Sequence, residues 1–148
     1  MDSGFEAVWR RVTAMQTTDD EQTRLRRWIK DETAAERIYA LQHRYSADRR
    51  VRETLEEILR AKRQLIRQLR AFFFLRTGER LALNLPETRP VPLLTVLRER
   101  YEEEIKLAES YRKAASTVRP DTAALCKQAS EASERNARLL RRLLERLL

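Results

Sequence analysis

The chain has 148 residues, with 31 Lys and Arg against 23 Asp and Glu and a formal net charge of +8. Two glycines and four prolines leave few helix breakers among Ala, Leu, Glu, Gln and Arg, which predicts an all-α fold, and 17.6 kDa suits one domain over 1–148. A single cysteine excludes an intramolecular disulfide, and the longest aromatic-aliphatic run, Ala71 to Leu75, is too short to cross a bilayer.

The start, Met-Asp-Ser-Gly-Phe-Glu, is acidic where a signal peptide needs basic residues, which predicts a cytoplasmic protein. Phe5, Val8, Trp9 and Val12 share one face of a short amphipathic helix over about 3–15, expected to pack across the rest. Thr17, Thr18, Asp19, Asp20 and Glu21 supply N-cap candidates and first-turn acids for a long helix over about 19–45. Ser46-Ala47-Asp48 makes a tight turn into a helix over about 48–77, which Gly78 stops. Pro86, Pro90 and Pro92 then mark a long connection, a crossover and not a hairpin. A third helix is predicted over about 93–117, and Pro120-Asp121 opens a fourth over about 121–147.

Each long helix carries a heptad-like apolar seam interrupted near its middle by polar residues. The first reads Leu25, Trp28, Glu32, Ala35, Tyr39, Gln42, and the second Val51, Leu55, Ile58, Lys62, Leu65, Leu69, Phe72. The third reads Leu94, Leu97, Tyr101, Glu104, Ala108, Tyr111, Ala115, and the fourth Cys126, Ala129, Ser133, Asn136, Leu140, Leu143, Leu147. These interruptions predict one polar layer across the bundle, and buried charge is retained where it pairs, binds a metal or serves a function. The layer is therefore the candidate site. Seven residues after each Glu stands a Tyr, so Tyr39 and Tyr111 are expected to support it from behind. Cys126 on the fourth seam reads as a reduced core thiol. The single histidine, His43, stands several turns from the layer and reads as a rim residue.

Two antiparallel hairpins joined by a long crossover form one of the four-helix-bundle topologies, with ferritin-like folds among its examples. The stretches Val8-Trp9-Arg10-Arg11-Val12, Leu25 to Glu32 and Phe74-Leu75-Arg76-Thr77-Gly78-Glu79 resemble those of rubrerythrin-type bacterial ferritin-like proteins, over nearly the whole chain. The resemblance implies a ferritin-like four-helix bundle with an additional N-terminal helix and a di-iron site built from six ligand positions. Glu32 and Glu104 match its lone carboxylates. At the two Asp-Glu-x-x-His-Ala motifs the chain instead reads Ala61-Lys62-Arg63-Gln64-Leu65-Ile66 and Ala132-Ser133-Glu134-Arg135-Asn136-Ala137. Lys62 and Ser133 thus stand in place of Glu, and Leu65 and Asn136 in place of His. Two ligands of six remain, Glu57 and Glu131 lie off the seams, and no cofactor is expected.

An ammonium at Lys62 would sit where a metal cation sits in relatives. Two carboxylates against one lysine leave an excess negative charge, to be relieved by a protonated carboxyl, a second cation or water. The reading is a non-catalytic structural or binding module with a degenerate di-iron site. The alternatives are a rubrerythrin-like oxidoreductase or peroxide-handling protein holding iron or manganese on Glu32 and Glu104, and a basic nucleic-acid-binding bundle. Arginines recur at Arg49, Arg52, Arg60, Arg63, Arg67 and Arg70 and at Arg135, Arg138, Arg142 and Arg146, interleaved with Glu. The tail from Leu139 to Leu148 spreads leucine over more than one seam, so the N-terminal helix or a homodimer contact should cover Leu139, Leu144 and Leu148. No membrane partner is expected.

Overall fold

The computed structural model describes the backbone of residues 3–148 and the side chains of residues 20–148. Four helices follow in order, α1 Ser3–Tyr45, α2 Arg49–Thr77, α3 Leu93–Ala114 and α4 Pro120–Leu147, and no strand occurs among the described residues.

Local chemistry sets most of these boundaries. Asp48, extended at φ −67° and ψ 126°, accepts hydrogen bonds from the backbone N–H groups of Arg50 at 2.9 Å and Val51 at 3.0 Å, so the first turn of α2 loses two orphan donors. At the other end Gly78 takes φ 71° and donates its N–H to the Phe74 carbonyl at 2.7 Å, a left-handed cap that a Cβ would strain. Pro120 opens α4 with Asp121 in its first turn, and the α3 end loosens into a turn in which Thr117 N–H bonds the Ala114 carbonyl at 2.9 Å. That turn places the α3 terminus at Ala114 instead of 117.

At the start of the chain α1 runs as one element through Thr17–Glu21, where the sequence predicts a break between two helices. Glu21 does not serve as a first-turn acid of its own helix. It is buried, and its carboxylate accepts the Arg76 Nε at 3.0 Å and the backbone N–H of Arg119, the residue capping α4, at 2.7 Å. The predicted packing of Phe5, Val8, Trp9 and Val12 lies outside the residues whose side chains are described.

α1 packs on α2, α3 on α4, and α2 on α4. Lys62 meets Glu104, Leu55 and Leu97 share one apolar cluster, and Leu69 and Tyr111 share another, so α2 and α3 run parallel at a constant offset of 42 residues. Residues 78–92 carry the chain between them as the predicted crossover. Leu81 and Leu83 pack with Phe72 against buried Phe73, while the neighbouring Phe74 and Leu75 are exposed. Arg70 donates to the Leu81 carbonyl at 3.1 Å and the Gln42 amide to the Val91 carbonyl at 2.7 Å, tying both halves of the crossover to the helices.

The seams of α1, α2 and α4 are buried nearly as predicted, with Phe73 replacing Phe72 and with Leu147 partly exposed. On α3 the buried face is turned. Val96, Arg100, Leu107 and Ala114 are buried with Leu97, Glu104, Ala108 and Tyr111, whereas Leu94 is exposed and Tyr101 and Ala115 are half-buried. The turn follows from Arg100, a charged residue that the sequence assigns to solvent and the fold carries inside. Leu139 and Leu144 lie half-buried against the Ala35 to Leu143 cluster, leaving Leu148 exposed.

The candidate functional site, a buried ion cluster

The apolar core is divided in two. One cluster contains Leu25, Trp28, Leu65, Leu69, Phe73, Leu107, Tyr111 and Leu125, and the other Ala35, Tyr39, Val51, Leu55, Ile58, Leu97, Leu140 and Leu143. Between them lie Glu32, Lys62, Arg100, Glu104, Ser133 and Asn136, all buried. The polar layer predicted from the seams thus exists at one level. Leu65 closes it from the α2 side as an apolar core residue, and Cys126 is a buried thiol that burial pushes up to about 11.

Lys62 is the centre of the cluster. Its Nζ donates to Glu32 Oε1 at 2.8 Å and lies 2.6 Å and 2.9 Å from the two oxygens of Glu104, with all three side chains at 1% exposure or less. The Glu104 Oε1 also accepts the Tyr39 hydroxyl at 3.1 Å and an Arg100 guanidinium N–H at 3.2 Å. The Arg100 guanidinium stands 5.2 Å over the Tyr39 ring, so one tyrosine holds the guanidinium by its face and the carboxylate by its hydroxyl. Two carboxylates therefore face two cations and the cluster is balanced. The excess negative charge expected from the seams is relieved by Arg100, which the seam reading misses because Arg100 falls one position before Tyr101. The signal available was spacing, since an arginine four residues before a buried Glu on a helix lies within reach of it.

The two carboxylates are not equivalent. Burial pushes Glu32 above the usual carboxylate range, because the Lys62 contact does not offset its loss of hydration and the like-charged Glu104 adds to the upward push. Glu104 is buried as deeply, yet Lys62, Arg100 and the hydrogen bonds from Lys62 and Tyr39 hold it below that range. Burial alone would lower the Lys62 ammonium, and the two carboxylates outweigh it and raise the group above its ordinary value. Tyr39 and Tyr111 are both pushed well above an ordinary phenol by burial, with Glu104 acting on the first and Glu32 on the second.

Tyr111 departs from the symmetry the repeated Glu and Tyr spacing predicts. Its ring lies 4.8 Å from that of Trp28, and its hydroxyl, like Glu32 Oε2 and the Ser133 hydroxyl, is buried with no hydrogen-bond partner among the described residues. His43 bonds Glu56 at 2.8 Å on the rim, as expected, and Glu57 and Glu131 are exposed.

A di-iron centre does not fit this donor set. The carboxylate lone pairs that would face a metal face the Lys62 ammonium, Leu65 offers no donor, and no group of three or more His, Cys, Asp or Glu comes together among the described residues. No helix among the described residues is long and apolar enough to cross a membrane. No family model matches the chain, and no curated protein or solved structure matches it either.

Proposed function

We propose that the chain is a rubrerythrin-type, ferritin-like bundle in which an internal ion cluster stands where relatives hold two irons, and that it serves as a metal-free structural or binding module. The observation that carries this reading is the Lys62 ammonium lying within 2.9 Å of both surviving carboxylates. A lysine there supplies the positive charge that bridging metals supply elsewhere, and it needs no open coordination position. Arg100 completes the neutralisation from within α3. The reading places the protein in the cytoplasm and makes the exposed end of α4 around Leu148 the homodimer contact.

Metal content of protein expressed with added iron and manganese and purified without chelator tests this directly, with Glu32→Ala/Glu104→Ala protein as control. Metal at background in both is expected. About two metals per chain, lost in the control, would replace the module with an oxidoreductase or metal-storage role.

A further inference from the structure

Along α2, Arg60, Arg63 and Arg67 follow one another at helical spacing on the side that meets α1. They form one wall of a groove of about 550 Å³ between the two helices. Half-buried Ala40 and buried Leu59 make its floor, and the His43–Glu56 pair, 2.8 Å apart, stands at one end.

The guanidinium groups of this wall are largely free. Arg63 donates its Nε to Glu36 of α1 at 3.0 Å, and its two terminal amino groups have no partner among the described residues. Glu36 thus holds the side chain in place and leaves the terminal fork of donors open. Arg60 and Arg67 are exposed and make no ion pair or hydrogen bond among the described residues. The nearby acids are already engaged, Glu36 by Arg63 and Glu56 by His43. The groove between α3 and α4 differs, since Arg112 is paired there with Glu134 and Arg141 with Glu145, and the groove between α2 and α4 sets Arg135 beside Glu131.

We infer that the α1/α2 groove binds a short polyphosphate, free or as part of a small molecule, through Arg60, Arg63 and Arg67. A guanidinium presents paired N–H donors that two phosphoryl oxygens accept at once, and both oxygens are charged enough to shorten the bonds. From Arg60 to Arg67 the wall rises about 10 Å at about 1.5 Å per residue, so linked phosphoryl groups engage all three arginines where a single orthophosphate cannot. No aromatic side chain lines the groove, so a nucleotide base gains no stacking surface and recognition stays with the phosphoryl chain. The inference goes beyond the ion cluster, which lies in the core and shares none of these side chains, so either can fail without the other.

Isothermal titration calorimetry with tripolyphosphate, orthophosphate, ATP and citrate tests it, at about 0.1 M salt, where exposed charges more than about 10 Å from the ligand are screened. Tripolyphosphate should saturate one site per chain, ATP should bind no more tightly, and orthophosphate and citrate should bind more weakly. Arg60→Gln/Arg67→Gln protein, its fold checked by circular dichroism and melting, should lose about 100-fold in affinity for tripolyphosphate, about tenfold for each guanidinium. Arg135→Gln/Arg138→Gln protein, which gives up the same charge in the other two grooves, should keep the wild-type Kd. Absence of saturable binding, citrate or orthophosphate binding as tightly as tripolyphosphate, ATP binding more than about tenfold tighter, or equal loss in both variants would overturn the inference.

Discussion

Lys62 touches both carboxylates, so its removal strands buried Glu32 and leaves Glu104 to Arg100 and Tyr39 alone. Lys62→Ala should cost about 3–5 kcal/mol in urea denaturation at neutral pH, the range for breaking a buried ion pair from one side. Lys62→Met combined with Glu32→Leu should recover most of that loss, because Glu104 keeps Arg100 and Tyr39 and no buried charge is left unpaired. Unchanged stability of the single variant would mean that water reaches the carboxylates. Glu32, Lys62 and Glu104 are legible in the chain because each interrupts an otherwise apolar heptad seam. Arg100 is not, since a charged residue one place off a seam looks like any solvent-facing arginine until the Tyr39 ring and Glu104 are brought to it. The Tyr111 hydroxyl, without a partner among the described residues, is beyond sequence for a different reason. Spacing places the ring at the layer, and only packing against Trp28 decides where its oxygen points.

At the level of elements, Arg76 joins three helices at the end of the bundle opposite Asp48. Arg76, at the last turn of α2, donates to buried Glu21 of α1 at 3.0 Å and to Asp121 and Thr122 of α4 at 2.8 and 2.7 Å. It lies mostly buried and also stacks over Phe72. Arg76→Ala should therefore lower stability by about 3 kcal/mol, chiefly by leaving the Glu21 carboxylate, among the described residues, with the Arg119 backbone N–H alone, as chemical denaturation will read. Arg76→Lys should recover little, because a point charge cannot serve three acceptors on two helices. Asp48, Gly78 and Pro120 announce their helix boundaries in the sequence. The continuous α1 does not announce itself, because Thr17–Glu21 has the composition of a helix start and its last carboxylate, Glu21, is engaged across the bundle.

For the molecule as a whole, the buried titratable groups set a stability profile against pH. Tyr39, Tyr111 and Cys126 have folded values above their unfolded ones, so the unfolded chain ionises first and stability falls as pH rises past about 8.5 to 10. Lys62 adds to this arm, since its contribution is present below about 10.4 and is lost as pH rises through its raised folded value. On the acid side Glu104 contributes above about 4.3 and loses that contribution as pH falls through its lowered value. Glu32, raised, has the opposite sign and partly offsets that loss. Denaturation midpoints should therefore hold level between about pH 5 and 8.5 and decline on the alkaline side. Tyr111→Phe should make that alkaline arm shallower with no cost at neutral pH, because the hydroxyl it removes has no partner among the described residues and Tyr39, Cys126 and Lys62 still titrate. A midpoint at about pH 10 equal to that at pH 7 would contradict the burial of these groups.

The division of the core into two apolar clusters by a charged stratum has a consequence for alignment. Leucine seams tolerate sliding, since a helix moved by one heptad still sets leucine against leucine. Here a shift of α2 by seven residues along α3 would bring the Lys62 ammonium against Leu97 or Tyr111 and leave Glu104 facing Leu55 or Leu69. The charged stratum thus acts as a vernier mark, with one setting at which α1, α2 and α3 agree, in a chain whose oily stripes alone would accept several.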